Sequence, residues 1–578
     1  MSEDEDTTIL LKSNNKVALN NAVVKLPIKE YEYIPPKKIR KPIPKHTENL
    51  TPLVSENQNV LVSIVAVAAG IAFGYDMGIG KQLAPIVKNN FALDCEEENI
   101  IVNVWFIGCL LGALFGGFVI DVCGRRWTMI CSLVFLSFGS MLSALANHYA
   151  LFLAARIICG YSGTVSAMAH CIYMSEVSNS TKRGCNITLH QVGSAAGLLL
   201  SVIAAASKTL DNQWRSVIGA TSVVALITCF TIIIFLQRSP SFMLLKRVAN
   251  VPRVPVKNSW CYVFETIIVM MIMLALRQGT GRQQVLYYAP RLFALLGICS
   301  NITKVTSMIA LGIVRVFSTI LCLIVVEKCG RRTALITSAT ICMTSISFLS
   351  LLATLDKGEE LLNFPNEPCS FLPPSNFGTE YMIKMKSISP TGSPPPYPLL
   401  PTPLAMAIPN TETWTQVKSS CETQNIITSD GLNGGLKILA VITLLVFESA
   451  YALGIGPVPL LTLSEVFPAA YRGRCVGFSV VLMWIVHITL SESIGSMTRA
   501  MTLPGTYLFY SFMCLIAIIY VFLLYPETKG KSLNRVAQEL RKTPLATRIC
   551  NNMKSLPSIC HIEWIIRLGD KANLSTPI

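Results

Sequence analysis

Charge is what this sequence has least of. Asp, Glu, Lys and Arg make up 14% of its 578 residues, against about 25% in a soluble domain, and that shortage excludes a water-exposed globular fold. Histidine is scarcer still, at 6; His170, His190 and His487 are scattered with no nucleophile beside them, so no enzyme site is assembled in the sequence. The 19 cysteines include no CxxC or similar metal-ligand spacing, and most stand inside apolar runs, where cysteine behaves as a small hydrophobe. No cofactor motif is present, and none is expected. Also missing is an apolar signal segment with a cleavage site. Residues 1–58, polar and rich in Pro and Lys, therefore read as a cytosolic N-terminal tail.

What is there is apolar. Hydrophobic residues reach 52% and the mean hydropathy is +0.52, the composition of an all-α polytopic membrane protein. Runs of about 20 apolar residues fall near 59–80, 100–121, 127–146, 150–174, 186–207, 215–236, 261–288, 304–326, 333–355, 436–460, 474–496 and 505–525. These spans predict twelve transmembrane helices: a first six-helix bundle over 59–237, a short cytoplasmic linker over 238–260, a second bundle over 261–525, and a cytosolic tail over 526–578. The net charge of +15 does not point to nucleic acid. Its basic residues cluster in the short loops after the even-numbered spans, where they hold those loops on the cytosolic side of the bilayer.

The loop over 356–435 is rich in Pro, Ser and Thr, too polar to span a membrane, and falls outside the cell on this topology. Cys369 and Cys421 lie in it, either joined by a disulfide or free. Among the N-x-S/T sequons Asn301 alone faces outward, which makes it the candidate glycosylation site. In the N-terminal tail, Asp6 to Leu11 (DTTILL) reads either as an acidic dileucine signal, with Leu10 and Leu11 contacting sorting adaptors, or as a chance pair. The expected location is the plasma membrane, with cycling through endosomes as the alternative the dileucine raises.

Two motifs each occur twice and in the same order. GFVIDVCGRR, carrying Asp121, Arg125 and Arg126, returns as EKCGRR with Glu327, Arg331 and Arg332. YMSEVSNSTKRG, carrying Glu176 and Arg183, returns as LSEVFPAAYRG with Glu465 and Arg472. Such a repeat indicates a duplicated architecture, and its acids and arginines at the cytosolic ends of helices are a candidate gate. The second copy is the longer because it contains the 356–435 loop.

Charges within a bilayer core cost roughly 2.5–3.5 kcal/mol each on insertion scales, so each is a functional candidate. Asp76 in span one and Arg156 in span four sit at similar depth in the outer half, either as a proton-coupling pair or as a permanent ion pair. Span seven carries Arg277-Gln278-Gly279-Thr280-Gly281-Arg282-Gln283-Gln284, whose glycines break the helix at membrane depth, tolerable only beside a water-filled cavity. Amides both donate and accept, which suits a ligand made of hydroxyls. Gln278, Gln283 and Gln284, with Gln191 in span five and Trp484 in span eleven, are therefore the candidate substrate contacts. Gly456-Pro457-Val458-Pro459 breaks span ten in the same way. Arg315 in span eight and Glu448 in span ten lie at matching depth and are expected to pair, the alternative being that Arg315 faces the cavity and is hydrated.

These residues resemble the sugar porter family of the major facilitator superfamily: GRR after Asp121, Arg156-x-x-x-Gly160, Tyr173-x-x-Glu176 with Arg183-Gly184, Gln191, GPVP with SEVFP, and Pro526-Glu527-Thr528-Lys529-Gly530. Within it, the long outer loop and the acid of GYD are most similar to one class of facilitated glucose transporters. The resemblance implies two six-helix bundles with sugar at their interface, hexose-binding amides at Gln191, Gln278 and Gln283, a coupling pair at Asp76 and Arg156, and alternating access. It implies a hexose transporter, with a proton/myo-inositol or polyol symporter and a transport-dead sugar receptor as alternatives. The partners expected are a small sugar, a proton in the coupled case, and the lipid bilayer. The chain departs from the family pattern at Arg277, Arg315, Leu460 and Met483, in QRSPS after span six, and in its short central linker.

Overall fold

The computed structural model describes residues 56–208, 214–237, 259–294, 300–355 and 434–554. Leu10, Leu11, Cys369 and Cys421, and nearly all of the central linker, lie outside the described residues. The described residues form helices and no strands. The first six are α1 (Glu56–Phe91), α2 (Cys95–Cys123), α3 (Arg125–Leu145), α4 (Tyr149–Val177), α5 (Arg183–Lys208) and α6 (Trp214–Phe235). The second set is α7 (Ser259–Gly279), α8 (Arg282–Ala294), α9 (Ser300–Cys329), α10 (Arg331–Leu355), α11 (Gly434–Leu453), α12 (Val458–Val466) and α13 (Arg472–Leu524), followed by the short α14 (Leu533–Lys542) and α15 (Leu545–Lys554). Asn301 falls in the first turn of α9.

Eleven of these segments are long and apolar enough to cross a bilayer, and the last, α13, is long enough to do so twice. The backbone of α13 leaves the helical region at Thr502, two residues before Pro504, whose ring displaces the preceding turn; the two crossings expected there meet at this kink. Span seven breaks between α7 and α8 at Thr280 and Gly281, and span ten breaks between α11 and α12 at the GPVP stretch. Large side chains such as Phe135, Phe230, Phe264 and Phe317 are exposed on the outer faces, where lipid is the solvent.

Both GRR motifs make the same turn. Gly124 (φ 87°) joins α2 to α3, and Gly330 (φ 95°) joins α9 to α10. Only glycine enters that backbone region without strain, so two long helices reverse across one residue.

Within the first bundle α1 packs along α5, with α2, α3, α4 and α6 beside them; within the second, α13 packs against α7 and α10, and α11 packs against α9 and α10. The bundles meet along two seams, α2 against α13 and α5 against α9. At the first seam a methyl on Gly473 would lie 2.6 Å from the Gly117 carbonyl, and one on Gly477 would lie 2.6 Å from the Ala113 carbonyl. Helices that close exclude both lipid and water from the end of the molecule that carries the GRR turns.

Candidate functional site

A cavity of about 140 Å³ lies between the bundles. A water needs roughly 10–15 Å³ by this measure, so the space holds about ten waters, or one monosaccharide. Gln191 reaches it from α5, Gln278 from α7, Gln283 from α8 and Trp484 from α13. Gln283 Nε2 lies 2.6 Å from His487 Nε2. The Trp484 indole N–H and both ring nitrogens of His190, which also lines the cavity, have no hydrogen-bond partner among the described residues. A ligand hydroxyl is the group such a wall would satisfy, because buried polar atoms are costly when left unmatched.

Gln284 departs from the expectation. Its amide is buried and donates to the Leu490 carbonyl at 3.1 Å, away from the cavity wall. One residue along a helix turns about 100°, so Gln283 and Gln284 cannot share a face.

The second-bundle wall is cationic. Arg277, Arg282 and Arg315 all line the cavity, whose wall contains no carboxylate among the described residues. Glu448 of α11, 1% exposed, stands behind them and takes a bidentate contact from Arg282: Nε donates at 2.9 Å and Nη2 at 2.6 Å. The Arg282 guanidinium also lies over the Tyr451 ring at 5.1 Å. The expected Arg315–Glu448 contact is present, but only at 3.8 Å, beyond hydrogen-bonding distance. Arg315 is thus the outer member of a triad whose strong pair is Arg282–Glu448, and its Nη1 makes no hydrogen bond. Arg277 donates to the Gly456 carbonyl at 2.9 Å, where the GPVP break frees it, and approaches Met483 Sδ at 3.3 Å.

In the first bundle Arg156 Nη1 donates to Asp76 Oδ1 at 2.8 Å and Nη2 to the Asp76 carbonyl at 3.1 Å. Trp105 Nε1 donates to Asp76 Oδ2 at 2.6 Å. Asp76 and Arg156 are each 1% exposed and lie off the cavity wall. Trp105 stands between them and the second bundle, its ring 6.1 Å from that of Trp484. Phe106, the next residue, stacks on Trp484 at 5.9 Å and meets His487 at 4.3 Å. Beyond this aromatic layer Asn103 donates to Glu492 and accepts from Ser491 at 3.2 Å, a polar link across the α2–α13 seam.

At the opposite, basic end the repeated motifs interlock with pseudo-twofold symmetry. Arg125 Nη2 donates to Glu176 at 3.0 Å, as Arg331 Nη2 does to Glu465 at 3.2 Å. Each acid also faces an arginine of the other bundle: Glu176 takes Arg472 at 2.9 Å, and Glu465 lies 4.0 Å from Arg183. Asp121 accepts from the backbone N–H groups of Gly473 and Arg474, both at 3.0 Å, and Glu327 from that of Cys185 at 3.0 Å. The second arginines stand apart from this network. Arg126 donates to the Ile233 carbonyl at 2.8 Å and Arg332 to that of Phe522, each serving the last helix of its own bundle, where carbonyls lack partners.

Sequence reasoning missed Trp105, His190, His487 and the pairing of Arg282. A lone Trp in an apolar run reads as packing. For His487 a signal existed, since Met483, Trp484 and His487 recur at the spacing of one helix face.

The arrangement is a ligand-sized chamber between two related bundles, closed at one end by charge and at the other by aromatic packing. The chain is similar to known proteins over most of its length. The family model "Sugar (and other) transporter" matches residues 62–250, 248–362 and 419–540. "Solute carrier family 2, facilitated glucose transporter member 10" of Xenopus laevis is 27% identical over 85% of this chain and 94% of that protein; member 12 of Mus musculus is 26% identical over 85% and 86%. In fold the chain matches the proton:xylose symporter XylE bound to 6-bromo-6-deoxy-D-glucose, with a TM-score of 0.62 at 20% identity, covering 84% of this chain and 99% of that one. The chain therefore belongs to the sugar transporter family and has the two-bundle, multi-pass membrane fold of the major facilitator superfamily.

Proposed function

We propose that this protein moves hexose-like sugars across the membrane by alternating access. The observation that carries the reading is the cavity between the bundles, whose lining includes amides and an indole. Gln191, Gln278 and Gln283 hold hydroxyls and Trp484 supplies a face for the ring. The cluster of Asp121, Arg125, Glu176, Arg183, Glu327, Arg331, Glu465 and Arg472 is the cytoplasmic gate, and the aromatic layer with Asn103 and Glu492 closes the outer side. Asp76 and Arg156 are the proton-coupling pair, screened from the cavity by Trp105. The protein resides in the plasma membrane, with the GRR turns and both tails in the cytosol, where Leu10 and Leu11 of the N-terminal tail meet sorting adaptors, and with Asn301 outside. Purified protein in proteoliposomes, assayed for glucose counterflow with and without an inward pH gradient, tests this. Counterflow is expected, and a pH gradient is expected to accelerate uptake. Absence of hexose counterflow in protein shown to be folded and correctly inserted would overturn the reading.

A further inference from the structure

The cavity's charge does not suit a neutral sugar. Among the described residues three guanidinium groups line it and no carboxylate does, and Glu448, the acid in contact with Arg282 and Arg315, is already engaged by hydrogen bonds from Arg282 Nε and Nη2. Two positive charges are therefore left over at membrane depth, where an uncompensated cation is costly to keep. Arg277 is held by neutral acceptors, the Gly456 carbonyl and Met483, which fix its position without cancelling its charge. Arg315 is 3.8 Å from Glu448, and its Nη1 is a buried donor with no acceptor. The Arg315 guanidinium, held only loosely through Nη1 and with 17% of its side chain open, is a planar fork complementary to an oxyanion. The opposite wall, with Gln191 and His190, and the indole N–H of Trp484 on the second bundle offer the donors and acceptors that hydroxyls need.

We propose that the substrate is a polyhydroxy carboxylate of hexose size, a sugar acid whose carboxylate docks on Arg315 beside Arg277 while its hydroxyls face the amides. This rests on the cavity being the transport site. It differs from hexose transport in assigning the negative charge that completes the arginine cluster to the ligand. Arg282 is not the docking group, because Glu448 already holds its Nε and Nη2 edge.

The test uses the full-length protein in proteoliposomes free of chloride, with D-glucose and sodium D-glucuronate as probes, read by binding and by counterflow. Glucuronate is expected to bind at least about tenfold more tightly than glucose, the size of one additional charge-assisted contact. Arg315→Gln is expected to lower that preference about tenfold, and Arg315→Lys, which keeps the charge but loses the fork, to restore part of it. Arg315→Gln removes a surplus cation, so folded protein is expected at wild-type yield, checked by size-exclusion profile. Should it misfold, Arg277→Gln provides the same readout from the second cation. Glucose handled as well as or better than glucuronate would overturn the inference and leave sugar transport standing. The same holds for glucose binding that appears only when chloride is restored, with no gain for glucuronate. Failure of both probes would instead overturn the transport reading itself.

Discussion

Each bundle buries an acid with arginine in the membrane, and the two treat the charge in opposite ways. In the first, Asp76 and Arg156 balance one to one, Asp76 accepts a further bond from Trp105, and both lie off the cavity wall. In the second, Glu448 is as buried as Asp76, but its arginines are not; Arg282 and Arg315 keep 14% and 17% of their side-chain surface open, and both reach the cavity. A balanced pair can be folded away because its members satisfy each other. An excess of cations must stay where water or a ligand can reach it. Stoichiometry thus separates a pair that is sealed from a cluster that stays open to the cavity.

The largest effect is expected at Glu448. Glu448→Gln leaves Arg282 and Arg315 without their acid, and breaking a buried pair costs about 3–5 kcal/mol. Monodisperse protein should fall sharply in Glu448→Gln and recover in the double variant Glu448→Gln with Arg282→Gln. If the double variant fares no better than Glu448→Gln alone, the bidentate contact is not what ties α8 to α11. Asp76→Asn probes the other side of the comparison. The amide keeps its shape and its acceptor for Trp105 but cannot titrate, so pH dependence of uptake should vanish while equilibrative exchange survives. Wild-type uptake that is flat from acid to neutral pH would instead make Asp76–Arg156 a permanent lock. Trp105→Phe retains the ring and removes the donor to Asp76, a contact worth about 1.5–3 kcal/mol. It is expected to displace the pH profile of uptake and leave glucose affinity within about twofold, whereas an unmoved profile would make Trp105 packing alone.

The basic end sharpens the comparison because symmetry there is nearly kept. Arg472 meets Glu176 at 2.9 Å, while its counterpart Arg183 stands 4.0 Å from Glu465. Arg472→Ala is therefore expected to change exchange rates more than Arg183→Ala, measured in the same proteoliposomes. Arg126→Ala removes only a contact to a terminal carbonyl and should stay within about 0.5 kcal/mol. Equal effects at all three positions would mean that the network acts as a general positive surface.

Much of this was legible in the sequence. Hydropathy placed the spans, since a bilayer imposes one length on every helix, and the repeated acids and arginines pointed to the interlocking basic end. Helix breaks were readable wherever glycine or proline fell at membrane depth, as at Gly281 and Pro457. The partner of Glu448 was not. Depth counted along continuous helices matched it with Arg315, but the break at Gly281 re-aims α8 and brings Arg282 in first. Nor was the role of Trp105, because a hydrogen bond between α1 and α2 depends on how two helices rotate about their axes. Apolar periodicity fixes that rotation only to within a face. The two arginines of each GRR looked alike in sequence and diverge in space, as neighbours on a helix must.

The smallest expected effect gives the scale for the others. Lys531 and Glu539 lie 2.6 Å apart, the same separation as Arg282 and Glu448. Glu539 belongs to α14, outside the spans, and its side chain is 41% exposed. The hydrogen bond from Lys531, with Arg535 one turn away, holds its carboxyl below the usual glutamate value. A lowered folded value means that the contribution is present above about pH 4.3, the ordinary Glu value, and is lost as the pH falls through the lowered one. Water and salt screen the pair, so about 0–1 kcal/mol is expected from it. Glu539→Gln should shift the melting temperature of detergent-purified protein by no more than a degree or two at neutral pH, and by nothing measurable at high salt, where the pair is screened. Glu448→Gln, at equal separation, should be insensitive to salt. If the two respond to salt alike, burial is not what separates their worth, and the contrast between the sealed and the open charge clusters loses its physical basis.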